Sequence, residues 1–176
     1  MPTPKQTELI NELMLKLNDD EKLLCTSVID YLLELGYTAK KRKKSVFTIE
    51  FEKYGRIIAK MEHGVQYKTD PAPYLRFSLR FSACDHYSKV FQDAVNRRPR
   101  AWIERGQYWQ PRECYCGVCK GKPRFYHYTR DDGTTFDDCG GYTKQVPGVT
   151  SGDVPEILRM IKEQDAHFHE MLNYSR

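Results

Sequence analysis

The stretch "YLRFSLRF", residues 74–81, is the clearest strand pattern in the chain and decides the predicted fold. Its apolar residues are Leu75, Phe77, Leu79 and Phe81, and they alternate with Tyr74, Arg76, Ser78 and Arg80. Successive side chains of a strand point to opposite faces of the sheet. The pattern therefore predicts one face packed on a core and one face in contact with water.

Two further strands precede this one. "SVFTIEF" at residues 45–51 alternates with period two, and "IIAKM" at residues 57–61 follows a turn marked by Gly55. Two such runs joined by a short glycine-containing turn are typical of a β-hairpin. The middle of the chain therefore predicts an antiparallel sheet of three to four strands.

Helical patterns flank the strands. Capping boxes at Thr3/Gln6 and Asn18/Glu21 predict two helices before Gly36. A helix is predicted after Asp85. A last amphipathic helix follows a capping box at Asp153/Glu156, with Pro155 in its first turn.

The fold class predicted from these patterns is α+β, with helices covering an antiparallel sheet and an inserted cysteine-rich hairpin. The predicted divisions are a core at residues 1–100, a cysteine-rich zinc lobe at residues 101–150, and a C-terminal helix at residues 151–176 that packs back on the core. No uninterrupted apolar run approaches the length of a membrane span, which excludes a protein with a membrane-spanning helix.

The N-terminal sequence "MPTPKQTELI" lacks the pattern of a secretory signal, so we expect a cytoplasmic protein with reduced thiols. Four of its six cysteines lie close together, at Cys114, Cys116, Cys119 and Cys139. "RFYHYT" and "TTF" on either side of Asp132-Gly133 predict a hairpin between the last two of these. Its base would bring the four sulfurs together, as tetrahedral Zn²⁺ requires.

The segment from Cys114 to Cys139 resembles a zinc ribbon, with a Cys-x-x-Cys turn at Cys116 and Cys119 and a Gly-Gly pair after Cys139. The resemblance implies one structural zinc per chain. It departs from the family pattern because a second Cys-x-x-Cys is absent. The fourth ligand is therefore open between Cys114, His127 and one of Asp137 or Asp138. Metal-free thiols, a redox pair and a catalytic metal are the alternatives.

Positive charge is concentrated in the middle of the chain, where residues 37–130 hold 21 basic and 8 acidic residues. "KKRKK" at residues 40–44 could contact phosphates. Alternatively, it is a solvated loop or a set of charges that prevents a sheet edge from pairing with another chain. Further along the chain, arginines alternate with aromatic residues, a composition that is typical of binding to single-stranded nucleic acid. The candidate contact residues for nucleic acid or a small ligand are Tyr74, Arg76, Arg80, Arg100, Trp102, Arg105, Tyr108 and Trp109.

No catalytic motif is present, and whether the chain is an enzyme stays open. The leading hypothesis is a non-enzymatic binding or regulatory protein with a structural zinc. The second is an enzyme or small-molecule binder with an aromatic and arginine-lined cleft between the sheet and the cysteine lobe. A nucleic-acid-binding protein and a structural assembly partner are further alternatives.

Overall fold

The computed structural model describes residues 2–42, 46–64, 74–97, 125–139 and 143–173. Their strands form a five-stranded antiparallel sheet and a separate two-stranded hairpin. Together with four α-helices, they confirm the predicted α+β class. Within the described segments, none of the helices combines the length and the apolar character needed to cross a bilayer.

The chain begins with two helices, α1 (Pro4–Met14) and α2 (Asp19–Glu34). Both start with the predicted capping boxes, in which Thr3 pairs with Gln6 and Asn18 pairs with Glu21. Each box satisfies backbone N–H groups that have no partner inside the helix. Gly36 follows α2 with φ +84°, a conformation that glycine adopts without steric cost, and the chain turns there into the sheet.

The five-stranded sheet contains β1 (Thr38–Lys41), β2 (Phe47–Lys53), β3 (Arg56–His63), β4 (Leu75–Leu79) and β7 (Lys144–Gln145). They are arranged in the order β1-β2-β3-β4-β7. The β2–β3 turn consists of Tyr54 and Gly55, both with positive φ, as two-residue hairpin turns with the favoured twist require. The sheet therefore has one strand more than the largest number predicted.

The main core lies between one face of the sheet and helices α2 and α4 (Val154–Asn173). Register aligns Ile49 with Met61 and Phe77, and Phe51 with Ala59 and Leu79, so these side chains share the core face. From the helices, the buried residues include Val28, Leu32, Ile157, Ile161 and Phe168. The predicted division into residues 1–100, 101–150 and 151–176 stays a prediction.

The opposite face of the sheet is also buried, which makes the predicted wet face of β4 wrong. Arg76, Ser78 and Arg80 are 4%, 5% and 0% exposed. On the neighbouring strands, buried Glu50 bonds Lys60 at 2.9 Å and Arg42 at 2.6 Å. Charged residues tolerate burial when they are paired and hydrogen-bonded. A period-two pattern predicts the two faces correctly but does not show that a paired charged face is buried.

Strands β5 (Phe125–Thr129) and β6 (Thr135–Cys139) form the hairpin predicted around Asp132-Gly133. Tyr126 and Tyr128 project from one face of β5 and are buried in the main core. Tyr128 packs edge-on against Phe81, and Tyr126 packs edge-on against Phe168 of α4. One face of the hairpin is therefore continuous with the sheet-and-helix core.

One predicted helix start is wrong, and one predicted capping box is replaced by another, although α4 itself begins at Val154, directly after Asp153 as the sequence predicts. Helix α3 (Lys89–Asn96) begins after Ser88, not after Asp85. The capping box before α4 joins Thr150 to Asp153, not Asp153 to Glu156. Glu156 instead accepts a hydrogen bond from the Ser88 backbone N–H at 2.6 Å. A contact between the starts of α3 and α4 thus takes the place of the local cap that the sequence predicts.

Candidate ligand-binding cleft

A cleft of about 500 Å³ lies where β4, β7 and the C-terminal end of α3 meet. Its polar lining consists of Tyr74, Arg76, Arg97, Asp138, Thr143, Lys144 and Gln145. Its apolar lining consists of Leu75, Ala94, Val146 and Pro147. A concave site with an apolar wall and a few convergent polar groups has the usual form of a small-ligand site.

Strand pairing builds one side of the cleft. Ser78 of β4 pairs with Gln145 of β7, and the Val146 N–H donates to the Phe77 carbonyl at 2.9 Å. These bonds fix the chain from Lys144 onward against β4. The two-residue strand therefore positions both a cationic side chain and part of the apolar wall.

Arg76 is held in a defined position at the sheet side of the cleft. Its Nη2 donates to the Gly64 carbonyl at 3.1 Å, and its guanidinium carbon lies 5.4 Å from the centre of the Tyr74 ring. Tyr74 itself is 40% exposed. A partly exposed ring beside a fixed guanidinium provides a surface on which a planar group can stack.

Lys144 provides a second fixed cation in the cleft. It is buried, its ammonium bonds Asp138 at 2.7 Å, and it lies 4.5 Å from the centre of the Phe136 ring and 4.9 Å from that of Tyr128. A carboxylate and two aromatic rings already hold the Lys144 ammonium in place. A ligand that contacts it therefore causes a smaller loss of side-chain entropy on binding. Exposed Arg97 at the end of α3 adds a third cation.

The three cations and one carboxylate leave the described lining with a net positive charge. Among these lining residues there is no histidine, cysteine or serine to act as a base or nucleophile. The described arrangement is suited to holding an anionic group.

The predicted contact residues fall into three groups. Tyr74 and Arg76 line the cleft. Arg80 is fully buried against Tyr126, with its Nε donating to the Ile57 carbonyl at 2.9 Å. The remaining five lie outside the described residues: Arg100, Trp102, Arg105, Tyr108 and Trp109.

Sequence reasoning did not select Lys144 or Asp138 as contacts, and it included Arg97 only as part of the arginine-rich run. Lys144 and Asp138 meet only because β7 and β6 approach in three dimensions. A two-residue strand has no periodicity from which to predict it. Arg97 is the first residue of the arginine-rich run, and this run is the sequence feature that indicates a role in binding.

The predicted metal ligands Cys114, Cys116 and Cys119 lie outside the described residues. Cys139 is the last residue of β6, and its backbone pairs with Phe125 at the open end of the hairpin. Of the alternative fourth ligands, His127 contacts the Asp137 carboxylate through its Nδ1, and Asp138 bonds Lys144. Among the described residues, no group of three or more potential ligands is placed to hold a metal ion.

The other two cysteines are core residues. Cys25 and Cys84 are both buried free thiols. Burial, and to a lesser extent the nearby Glu21, raises the pKa of Cys25 to about 12. Burial likewise raises the pKa of Cys84 well above its ordinary value. Thiols of this kind are poor nucleophiles at neutral pH.

Comparison of the chain with known protein families, curated proteins and solved structures gave no match. The resemblance of residues 114–139 to a zinc ribbon is therefore wrong. No family model supports it, and the described residues contain no metal-holding group in which such a module would be visible. The described part of this region instead shows a hairpin that packs through Tyr126 and Tyr128 onto the core.

Proposed function

We propose that the protein is a binding protein for a small anionic ligand, which occupies the cleft between β4, β7 and α3. The observation that carries this proposal is the convergence of Arg76, Arg97 and Lys144 on one cleft. Of the three, Arg76 and Lys144 are buried and held by other groups.

The chemistry of the cleft favours an anion that also has a flat or apolar part. Guanidinium groups bind carboxylates and phosphates through paired donors. The exposed ring of Tyr74 and the wall formed by Val146 and Pro147 would contact the rest of the ligand. This interpretation extends the hypothesis of an aromatic and arginine-lined cleft, with Tyr74 and Arg76 retained and Arg80 left out.

Calorimetric titration with citrate, adenosine monophosphate and inorganic phosphate tests the proposal. We expect at least one of them to bind, and Arg97→Gln to weaken its binding about tenfold, a typical effect for a lost charge-assisted bond. Arg97 is exposed, so its replacement should leave the fold intact. Lys162→Gln, an exposed position on α4, is the charge-matched control. If no probe binds, or if both variants weaken binding equally, the proposal that this cleft binds an anion is refuted.

A structural zinc held by Cys114, Cys116, Cys119 and Cys139 remains part of the proposal, one ion per chain. Its support is the cysteine spacing, together with the position of Cys139 at the open end of the hairpin. Zinc closure would stabilise a segment too small for a core of its own. A cytoplasmic location, where thiols stay reduced, is part of the same prediction.

Nucleic acid is the competing partner, through the basic run at residues 40–44 and the stretch from Arg97 to Arg112. Tryptophan fluorescence during titration with short oligonucleotides distinguishes the two functions. Stacking on Trp102 or Trp109 would quench the emission, and the affinity would fall steeply with salt. Quenching of this kind without binding of small anions would favour nucleic acid.

A further inference from the structure

Arg56, the first residue of β3, is a buried cation that forms no ion pair with any carboxylate of the described residues. It is only 8% exposed. Two other buried cations of the sheet are compensated in the ordinary way, because Lys60 bonds Glu50 at 2.9 Å and Lys144 bonds Asp138 at 2.7 Å. A buried charge without a partner is strongly destabilising. Arg56 is therefore the cation of the sheet that calls for a negative group.

The guanidinium of Arg56 has one edge without hydrogen bonds. Its Nη1 donates to the Tyr126 hydroxyl at 2.8 Å. Its Nε is buried without a hydrogen-bond partner, and within the described segments its Nη2 donates to no atom either. The N–H groups of Nε and Nη2 point in the same direction, at the spacing of two oxygens of a carboxylate or phosphate. The unused edge is therefore the one that binds an oxyanion through two parallel hydrogen bonds.

Three elements hold this guanidinium in place. Arg56 extends from β3, its Nη1 is fixed by Tyr126 of β5, and its guanidinium carbon lies 5.4 Å from the centre of the Phe168 ring of α4. Tyr126 and Phe168 are themselves buried. A side chain that is already ordered loses little further entropy when it binds a ligand. The part of Arg56 that remains exposed shows that the residue is not sealed inside the core.

A second guanidinium lies against the same tyrosine. The guanidinium carbon of Arg80 is 3.8 Å from the centre of the Tyr126 ring. Burial lowers the pKa of Arg80, and the charge of Arg56 lowers it further, so the two cations interact. A concentration of positive charge in a poorly solvated region attracts a negative group. An anion on the unused edge of Arg56 would compensate that residue and reduce the repulsion between the two cations.

We propose that the Nε–Nη2 edge of Arg56 is a binding site for one small oxyanion, a carboxylate or phosphate group, where β3, the β5–β6 hairpin and α4 meet. The site is distinct from the anion cleft, because Arg56, Tyr126 and Phe168 are not among the residues that line the cleft. Two parallel charge-assisted bonds hold the group, and a spherical chloride ion matches them less well. Because the site exists only in the folded chain, its occupancy stabilises the fold.

NMR of the Arg56 Nε–H group in the unmodified full chain tests this site, with inorganic phosphate and acetate as the two probes. Correlation with the Arg56 backbone assigns the signal. We expect a saturable shift of this signal with at least one oxyanion, and the two titrations distinguish a phosphate ligand from a carboxylate. Chloride should produce the shift only at concentrations about tenfold higher. A signal that responds to neither oxyanion, or that responds equally to chloride, would overturn the proposal.

Arg97→Gln separates this site from the anion cleft, for which phosphate is also a probe. The midpoint concentration of the Arg56 shift should change by less than about twofold in this variant. A larger change would assign the shift to binding in the cleft and would overturn the Arg56 site. The two proposals can therefore fail independently.

Thermal unfolding gives a second readout. The oxyanion that binds, at about ten times its midpoint concentration, should raise Tm by about 4 °C over sodium chloride of equal ionic strength. Arg56→Lys keeps the charge but removes the paired donors, so its rise should be smaller. Arg159→Lys, at an exposed arginine of α4 that bonds Glu163, is the matched control and should keep the full rise. Equal rises in the two variants would overturn the proposal.

Discussion

The guanidinium carbon of Arg80 lies 3.8 Å from the centre of the Tyr126 ring, and both residues are buried. Arg56, also buried, donates from Nη1 to the hydroxyl of the same tyrosine at 2.8 Å. Burial lowers the pKa of the Arg80 guanidinium, and the charge of Arg56 lowers it further, against opposing effects of nearby tyrosines and Asp138. Tyr126 of the hairpin thus joins two cations that come from the main sheet region.

Tyr126→Phe should destabilise the protein by about 1–3 kcal/mol, because it leaves the buried Nη1 donor of Arg56 without its hydroxyl acceptor. Chemical denaturation measures the free energy of unfolding of the variant. Tyr31→Phe is the matched control, since the described structure gives the Tyr31 hydroxyl no hydrogen bond, and it should change stability by less than about 0.5 kcal/mol. Equal effects of the two variants would show that the Arg56 bond contributes nothing.

Asp165→Asn should cost about 3 kcal/mol, because it removes the charge that compensates a largely buried ammonium. Lys53 bonds Asp165 at 3.0 Å, and the two side chains are only 13% and 10% exposed. Tyr37 donates to the same carboxylate at 2.9 Å. Burial first, and Asp165 second, raise the pKa of Tyr37, so its hydroxyl stays protonated as a donor.

The Lys89–Asp93 pair provides the control for this prediction. Its bond is 2.8 Å long, but its side chains are 86% and 43% exposed. Asp93→Asn should therefore change the free energy of unfolding by about 0.5 kcal/mol or less. If the two substitutions cost the same in urea titrations, burial of the Lys53–Asp165 pair would have no energetic role.

Glu50 should make stability depend on pH in the acid range. Burial alone would raise the pKa of its carboxyl, but hydrogen bonds from Lys60 and Arg42 outweigh burial and hold the pKa below its usual 4.5. A depressed folded-state pKa contributes stability above the unfolded pKa, and this contribution is lost as pH falls through the folded value. The stability difference between the protein and Glu50→Gln should therefore be largest near neutral pH and shrink below pH 4.5.

Denaturation curves measured from neutral to acid pH test this expectation. Glu34→Gln, an exposed position on α2, is the control and should stay within about 0.5 kcal/mol of the unmodified protein at each pH. A Glu50→Gln difference that is constant with pH would mean that the Lys60 and Arg42 bonds do not stabilise the ionised carboxylate.

Features that depend on neighbouring residues can be predicted from the sequence, whereas features that depend on contacts between distant residues are predicted less well. The boxes at Thr3 and Asn18, the alternation of Phe77 and Leu79, and the Asp132-Gly133 hairpin follow from neighbouring residues and are confirmed. Burial of Arg80 depends on Tyr126, 46 positions away, and the role of Lys144 depends on Tyr128, 16 positions away. Of the residues that line the cleft, the sequence predicts only Tyr74 and Arg76 as contact residues. Both belong to a stretch with a clear period-two strand pattern.

The cysteine cluster gives the last prediction: the purified protein should contain about one zinc ion per chain, measured by elemental analysis without added metal. Tetrahedral zinc takes four sulfur ligands, and Cys114, Cys116, Cys119 and Cys139 are the set that the spacing provides. Cys116→Ser should lose the metal, because it removes one of four ligands, whereas the buried Cys25→Ala should retain it.

Hydrogen exchange on Cys116→Ser then locates the effect of the metal. Protection should fall in the hairpin at residues 125–139, which the cluster flanks, and persist in β2, β3 and β4, whose core residues Ile49, Met61 and Phe77 pack on one another without any thiol. Equal loss of protection in the sheet would contradict a separately stabilised cysteine segment. A metal-free native protein, or a disulfide between any two of the four cysteines, would refute the zinc site itself, because both states lack the four thiolates that the ion requires.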